Sequence, residues 1–413
     1  MLTFEKLYQR LGAAAVKNRT HEEVKEIKKH EFDPHHLDCL LNPRKYPPVI
    51  KLADCRCKDT ENCAVACFFG ALEQKDGKKT INKDLCTGCC ECISQCRHKT
   101  LIENKEVIPV FDAIYNYDGP VYAMIAPAFI SQFSYEVTPG KLRHAFKKLG
   151  FAGMLEVALF ADILTLKEAL EFDRRIKSNE DFLLTSCCCP LWIAMIRKVC
   201  KQYMPNVPGS VSPMVACGRT IKYLEPTAKT VFIGPCIAKK AEAREPDIAD
   251  AVDYVLTFQE MKQIFEFTGI NPAELQEDER DHSSRTGRIY ARTGGVSEAV
   301  AETVKRLNPG RAIEVKARQA DGVPDCRRML EELTKGEMTA NFLEGMGCKG
   351  GCVGGPRTIL DRHEGRENVQ QYGKQAVFNT PLDNPYVMEL LKRLGFKTVE
   401  SLIDGENMFS RKF

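Results

Sequence analysis

Apolar positions fall into short blocks that alternate in character along most of the chain. Val121-Tyr122-Ala123-Met124-Ile125-Ala126-Pro127 is a continuous apolar run, as in a strand buried on both faces. Lys141 to Leu149 carries apolar residues at helical spacing, Leu155 to Phe160 reads as a strand, and Ile163 to Ile176 as a helix. Further strands are expected at Thr230 to Ile233, Val252 to Phe258 and Arg311 to Lys316, with helices around Tyr386 to Leu394 and Val399 to Asp404. Strands alternating with helices predict α/β layering from about residue 116 onward. Upstream the pattern differs. Residues 1–49 read as a charged helical extension, in which His21 to Lys29 is a solvated face and His30, His35 and His36 lie on the surface. Pro43, Pro47 and Pro48 break the chain before residue 50.

Composition narrows the function. With 413 residues, 44% hydrophobic and 28% charged, the chain reads as globular, and its net charge of +3 argues against nucleic acid. The start lacks a basic stretch followed by an apolar run, and the longest apolar candidate, Val121 to Phe133, is too short for a membrane span. The expectation is a cytoplasmic protein with no membrane contact. Against that background, 19 cysteines are far too many for chance. Thiols in a reducing compartment stay unpaired, so tight clusters point to metal, and the load suits an anaerobic setting.

The first block lies between residues 50 and 115. Cys86, Cys89, Cys92 and Cys96 reproduce the CxxCxxCxxxC run of bacterial ferredoxins. Cys55, Cys57, Cys63 and Cys67 form a looser first half that shares only the CxxxC end. In that pattern the fourth cysteine of each run serves the other cluster. Cys55, Cys57, Cys63 and Cys96 are thereby assigned to one [4Fe-4S] cluster, and Cys67, Cys86, Cys89 and Cys92 to a second. Asp76-Gly77-Lys78 between the halves signals a hairpin, and Cys90 is off the pattern.

Three more thiol sites interrupt the α/β region: Thr185-Ser186-Cys187-Cys188-Cys189-Pro190-Leu191-Trp192, Gly234-Pro235-Cys236-Ile237-Ala238-Lys239-Lys240-Ala241-Glu242, and Glu344-Gly345-Met346-Gly347-Cys348-Lys349-Gly350-Gly351-Cys352-Val353-Gly354-Gly355-Pro356. Soft thiolates favour iron–sulfur chemistry, and glycine lets backbone press close to a bulky group. In order and spacing these segments resemble the TSCCPxW, MPCxxKKxE and ExMxCxGGCxxGG signatures of the [FeFe]-hydrogenase family, and Thr293 to Ala299 resembles a further family segment.

The resemblance covers about residues 50 to 413. It implies a two-lobed α/β hydrogenase catalytic domain at 116–413, with helices packed on parallel or mixed sheets, preceded by a small α+β ferredoxin-like domain at 50–115. It also implies an H-cluster. Its [4Fe-4S] cubane would be held by Cys189, Cys236, Cys348 and Cys352, with Cys352 bridging to a two-iron subsite carrying CO, cyanide and an azadithiolate. Lys239 would donate to one cyanide; Ala126, Pro127 and Ala128 would cradle the other. Gly234 and Met346 would line the two-iron site. Anchored on Pro190, Cys188 would be the proton-transfer thiol; taking Thr185-Ser186 as the start of the signature would move that role to Cys187. Glu168 and Glu171, three apart on one helix face, would carry protons outward. The implied reaction interconverts 2 H⁺ + 2 e⁻ and H2. The implied partners are a ferredoxin or a signalling protein as redox partner, maturation proteins for the two-iron site, and a second copy as a homodimer.

The chain departs from the signatures in several places. Ala128 stands for Ser, Gly234 for Met, Met214 for Gln, Tyr290-Ala291 for Phe-Gly, and Pro208 for the Ser that links the two glutamates. Ser210 and Ser212 are the candidate replacements. The last signature is cut short after Gly355. These changes predict slow turnover, as in sensory branches of the family. The alternative is an iron–sulfur assembly or scaffold relative that lacks the two-iron site and hydrogenase activity.

Overall fold

The computed structural model describes residues 1–54, 67–75, 78–185, 187–278 and 280–413. Cys55, Cys57, Cys63, Asp76, Gly77 and Ser186 therefore lie outside the described residues.

Two parallel sheets form the frame. The first has the strand order β6-β5-β8-β9, built from β5 (Val121–Ile125), β6 (Gly153–Glu156), β8 (Lys229–Gly234) and β9 (Tyr254–Thr257). The second joins β7 (Leu183–Thr185), β10 (Ala317–Asp321) and β11 (Phe342–Met346), with β11 central. Val121 and Ala123 to Ile125 are buried, as an apolar run in a central strand requires. The α/β fold expected from the alternation is thus present.

Element positions differ from the expectation in three places. The apolar run Leu155 to Phe160 does not make one strand. β6 ends at Glu156, and a helix begins at Ala158 and continues to Arg175. This helix is buried from Ala158 through Phe172 almost without interruption, Leu159 excepted, so its apolar residues lie on every face and hide the helical period. The strand expected at Arg311 to Lys316 lies instead at Ala317–Asp321. Val399 to Asp404 makes only a 3-10 turn at Glu400–Leu402.

Before the sheets, β1 (Val49–Lys51) pairs antiparallel with β4 (Leu101–Glu103), and β2 (Leu72–Lys75) pairs antiparallel with β3 (Lys78–Ile81). The register Lys75↔Lys78 is that of a two-residue hairpin. The N-terminal helices pack against the rest of the chain: Leu7, Tyr8, Leu11 and Ile27 share one hydrophobic core with Phe111, Phe146 and Phe265.

Glu103-Asn104-Lys105-Glu106, which leaves β4, is buried although every residue is polar. Each finds its own partner. Glu103 pairs with Lys105 and with Arg357, the latter at 2.6 Å. Burial alone would raise the Glu103 carboxyl, but Lys105 and Arg357 hold it down at about 2. The Asn104 carbonyl accepts from Lys240 Nζ at 2.7 Å, and Glu106 accepts from Arg244 at 2.8 Å.

Candidate metal centre

Parallel sheets present their ligand-binding crevices at the carboxyl ends of the strands. Ala126 to Ala128 follow β5, Pro235 and Cys236 follow β8, Cys187 to Cys189 follow β7, and Gly347 to Cys352 follow β11. Segments far apart in sequence therefore emerge on one side of the two sheets.

Burial pushes the Cys236 thiol up to about 11, with Cys189 adding to the effect. Cys352 is pushed up to about 12 by burial, then by Cys236 and Cys189. Cys348 rises well above the ordinary value through burial and the neighbouring Cys236, Cys189 and Cys352. The four thiols thus lie within electrostatic reach of one another in a buried place. Keeping Cys236, Cys348 and Cys352 ionised there needs a metal to replace their protons, which is what a cubane provides, so this donor set fits an iron–sulfur group. The backbone N–H of Gly347 donates to Cys189 Sγ at 3.3 Å, a bond that would orient a thiolate ligand.

Two glycines of the last signature make room for protein. A Cβ on Gly345 would stand 2.2 Å from the Trp192 ring, and one on Gly351 (φ +84°) would stand 2.6 Å from Thr293 N. Trp192 is fully buried, and its indole N–H donates to the Thr185 carbonyl at 2.6 Å. The ring and Gly345 together lock the loop after β11 against the helix that begins at Pro190. Gly345→Ala is expected to destabilise the protein by about 1–3 kcal/mol, the cost of overpacking a filled core, as read by chemical unfolding.

Lys239 is 7% exposed, and its Nζ donates to Glu242 Oε2 at 2.6 Å. Burial works against the ammonium, but Glu242 and the thiols of Cys236 and Cys188 hold its pKa above the ordinary value. The side chain is thereby fixed as a cation beside the cysteine cluster. Glu242 belongs to the same motif as Lys239, and its i,i+3 spacing is the sequence signal for this ion pair. Met346, at the end of β11, is 1% exposed. A Cβ on Gly234 would meet the Phe232 ring at 2.8 Å and the Ala126 Cβ at 3.0 Å. The Phe232 ring thus fills space that a larger residue at 234 would need.

For the proton-transfer thiol, the structure separates two tasks. Cys187 Sγ, not Cys188, donates to Glu168 Oε1, at 3.1 Å. The Thr185 hydroxyl donates to the other oxygen, Oε2. Cys188 is raised by burial and then first by Cys352, followed by Cys187 and Cys189, so it faces the cluster ligands. Glu171 pairs with Arg174 at 3.2 Å, near the surface end of the same helix. Neither candidate serine connects the glutamates. Ser212 caps the helix Pro213–Leu224, and Ser210 accepts from Lys167.

In the first cysteine block, a small pocket of about 20 Å³ is lined by Cys67, Cys86, Cys89 and Cys92 together with Val49, Phe69 and Ile81. Burial first, then Cys67 and Cys86, pushes Cys89 up to about 11, and burial first, then Cys89, Cys86 and Cys67, pushes Cys92 up to about 12. Four soft thiols are a donor set suited to a cubane. Ala71 N–H donates to Cys67 Sγ at 3.2 Å. Cys96 stands apart, bonded to Thr100. Its three expected companions, Cys55, Cys57 and Cys63, lie outside the described residues. A Cβ on Gly88 would touch the Ile237 carbonyl at 3.0 Å, so the Cys86–Cys92 loop rests directly on the loop that carries Cys236.

Comparison with known proteins agrees with this arrangement. The sequence model of the iron only hydrogenase large subunit, C-terminal domain, matches residues 119–356. The NADP-reducing hydrogenase subunit HndD of Solidesulfovibrio fructosivorans is 26% identical over 403 residues, spanning 82% of this chain and 68% of that protein. Iron hydrogenase 1 of Clostridium pasteurianum is 26% identical over 303 residues, 64% of this chain but only 53% of its own length. Cytosolic iron-sulfur assembly component 3 of Rattus norvegicus is 24% identical over 385 residues, spanning 77% and 80%. Among solved structures, an [FeFe]-hydrogenase studied for oxygen inactivation of its H cluster superposes with a TM-score of 0.57 at 23% identity, covering 69% of this chain and 93% of that one. A variant of the Chlamydomonas reinhardtii [FeFe]-hydrogenase gives 0.56 at 22%, covering 71% and 94%. The match to the family model over more than half of its length makes the chain a member of the iron-only hydrogenase large-subunit family.

Proposed function

We propose that the chain interconverts protons and electrons with H2 at an H-cluster, as a ferredoxin-type [FeFe] hydrogenase of low turnover that serves in hydrogen sensing. The observation that carries this reading is Lys239, buried and pinned by Glu242 beside Cys236 and Cys188. A purely structural cubane needs no such cation. An anionic ligand on a neighbouring two-iron site does, and a compact ammonium is suited to it.

The bound cofactor supplies the hydrogen chemistry itself. Cys189, Cys236, Cys348 and Cys352 would hold the cubane, with Cys352 reaching the two irons. Lys239 would donate to a cyanide; Ala126, Pro127, Ala128, Gly234, Phe232 and Met346 would shape the pocket and exclude water. Cys188 would receive or give the proton at the site, Cys187 would pass it on, and Glu168 would accept it. Cys67, Cys86, Cys89 and Cys92 would hold the cluster nearest the site, and Cys55, Cys57, Cys63 and Cys96 the outer one. Electrons would enter from a ferredoxin or a signalling protein, in the cytoplasm, and maturation proteins would install the two-iron subsite. Slow turnover follows from the Phe232 ring beside Gly234 and from the missing hydroxyl at Pro208.

A second reading has its own support: the similarity to the rat iron-sulfur assembly component spans most of both chains. Infrared spectroscopy of the matured protein under H2 and argon, with parallel H2 assays, separates the two. Bands of metal-bound CO and cyanide with measurable H2 conversion are expected. Their absence from protein loaded with all its iron would leave the scaffold reading.

A further inference from the structure

The proton route proposed above contains a buried residue that neither family signature nor route accounts for. Lys167 precedes Glu168 in the central helix and lies one turn before Glu171. It is 2% exposed. Its Nζ donates to the Gly209 carbonyl at 2.9 Å and Ser210 Oγ at 3.1 Å, and approaches Ser410 Oγ at 3.3 Å and the Phe409 carbonyl at 3.4 Å. All four acceptors are neutral. These contacts satisfy the hydrogens of an ammonium and leave its charge unbalanced.

Beyond burial, Cys187, Glu171 and Glu168 favour its charge in that order and Arg174 opposes it, and the two carboxylates are not equivalent. Glu171 already has cations of its own, Arg174 at 3.2 Å and Arg175 at 3.9 Å. Glu168 has none; its partners are the Thr185 hydroxyl and the Cys187 thiol. Other titratable groups act on Glu168 from neighbouring elements. Glu344 in β11 pushes its carboxyl up, and Glu168 in turn raises the buried Tyr290 phenol. None of these supplies positive charge. Burial pushes Glu168 up and burial pushes Lys167 down, and each favours the charged form of the other.

We propose that Lys167 is a positioning residue that keeps Glu168 ionised, so that the first carboxylate behind the thiols is a proton acceptor rather than a neutral acid. This rests on the hydrogenase reading for its purpose but not for its test. Protonation of Glu168 is read by the infrared stretch of a buried protonated carboxyl, assigned by its loss in Glu168→Gln. The sample is the full chain carrying its iron–sulfur clusters, with or without the two-iron site. In the unmodified protein that band is expected to be absent at pH 7 and to grow in as the pH falls. In Lys167→Met it is expected to titrate at least about one pH unit higher, a tenfold or greater rise in proton affinity, the usual effect of removing a close opposite charge. Lys167→Arg, which keeps the charge, should stay near the unmodified midpoint. A Glu168 band already present at pH 7 in the unmodified protein overturns the proposal without any lysine variant, and so does an unchanged midpoint in folded Lys167→Met. Failure to find CO and cyanide bands would remove the hydrogenase reading while leaving this titration intact.

Discussion

Lys240→Met is expected to cost about 3–5 kcal/mol in stability, the range for breaking a fully buried ion pair by deleting one partner. Lys240 and Glu260 are both fully buried, and Nζ bonds Glu260 at 3.1 and 3.2 Å as well as the Asn104 carbonyl. Glu260 also accepts from the backbone N–H groups of Glu106 and Thr257, so the lone carboxylate would stay locked in place and could not reach water. Urea unfolding of anaerobically loaded protein measures the loss. The double replacement Lys240→Met with Glu260→Met should recover much of it, because no charge is then stranded. A single variant as stable as the parent would show that Glu260 takes up a proton at little cost. Lys239, one residue earlier, has a different task. It faces the cysteine cluster, and its loss should be read in the infrared bands of the matured protein.

Cys187→Ala is expected to lower H2 turnover by about 10²-fold or more, the contribution of a well-placed proton-transfer group, with iron content unchanged. Its thiol is the one bonded to Glu168, whereas Cys188 faces Cys352 and Lys239. Cys188→Ala should slow the reaction comparably, because the two thiols act in series. If turnover survives the loss of Cys187 and falls only with Cys188, protons bypass Glu168, and the route must leave the site by another wall.

The metal-binding chemistry of this chain was open to sequence reading because cysteines at fixed spacing have few other uses. Cys189, Cys236, Cys348 and Cys352 were named from their motifs, and the segments that carry them follow β7, β8 and β11. The strands that carry two of these segments were not foreseen. Leu183–Thr185 is only three residues long, and Phe342–Met346 contains Glu344 and Gly345, which argue against a buried strand when read alone. Glu344 is tolerated there because it accepts from the backbone N–H groups of Gly294 and Ser297, both at 2.8 Å. The thiol order was also hidden. Which of three consecutive cysteines meets Glu168 depends on how the loop turns after β7, and spacing does not encode that. Lys167 was invisible for a similar reason: a lysine in a helix ordinarily reaches solvent, and this one is enclosed by two segments remote in sequence, Gly209 with Ser210 and Phe409 with Ser410.

The buried polar run Glu103 to Glu106 bears on how such proteins can be rearranged over evolution. A segment joined to its neighbours only through a neutral linker can be exchanged without stranding a buried charge. Here the segment is wired to the remainder through Arg357, Lys240 and Arg244. Deleting it would strand two cations, Arg357 and Arg244, and take one acceptor from Lys240, and replacing it would require a newcomer with acids at positions 103 and 106. The segment that holds the first cysteine block in this lineage is therefore not an interchangeable cassette. It should be inherited together with Arg357, the residue that occupies the truncated end of the last cysteine signature.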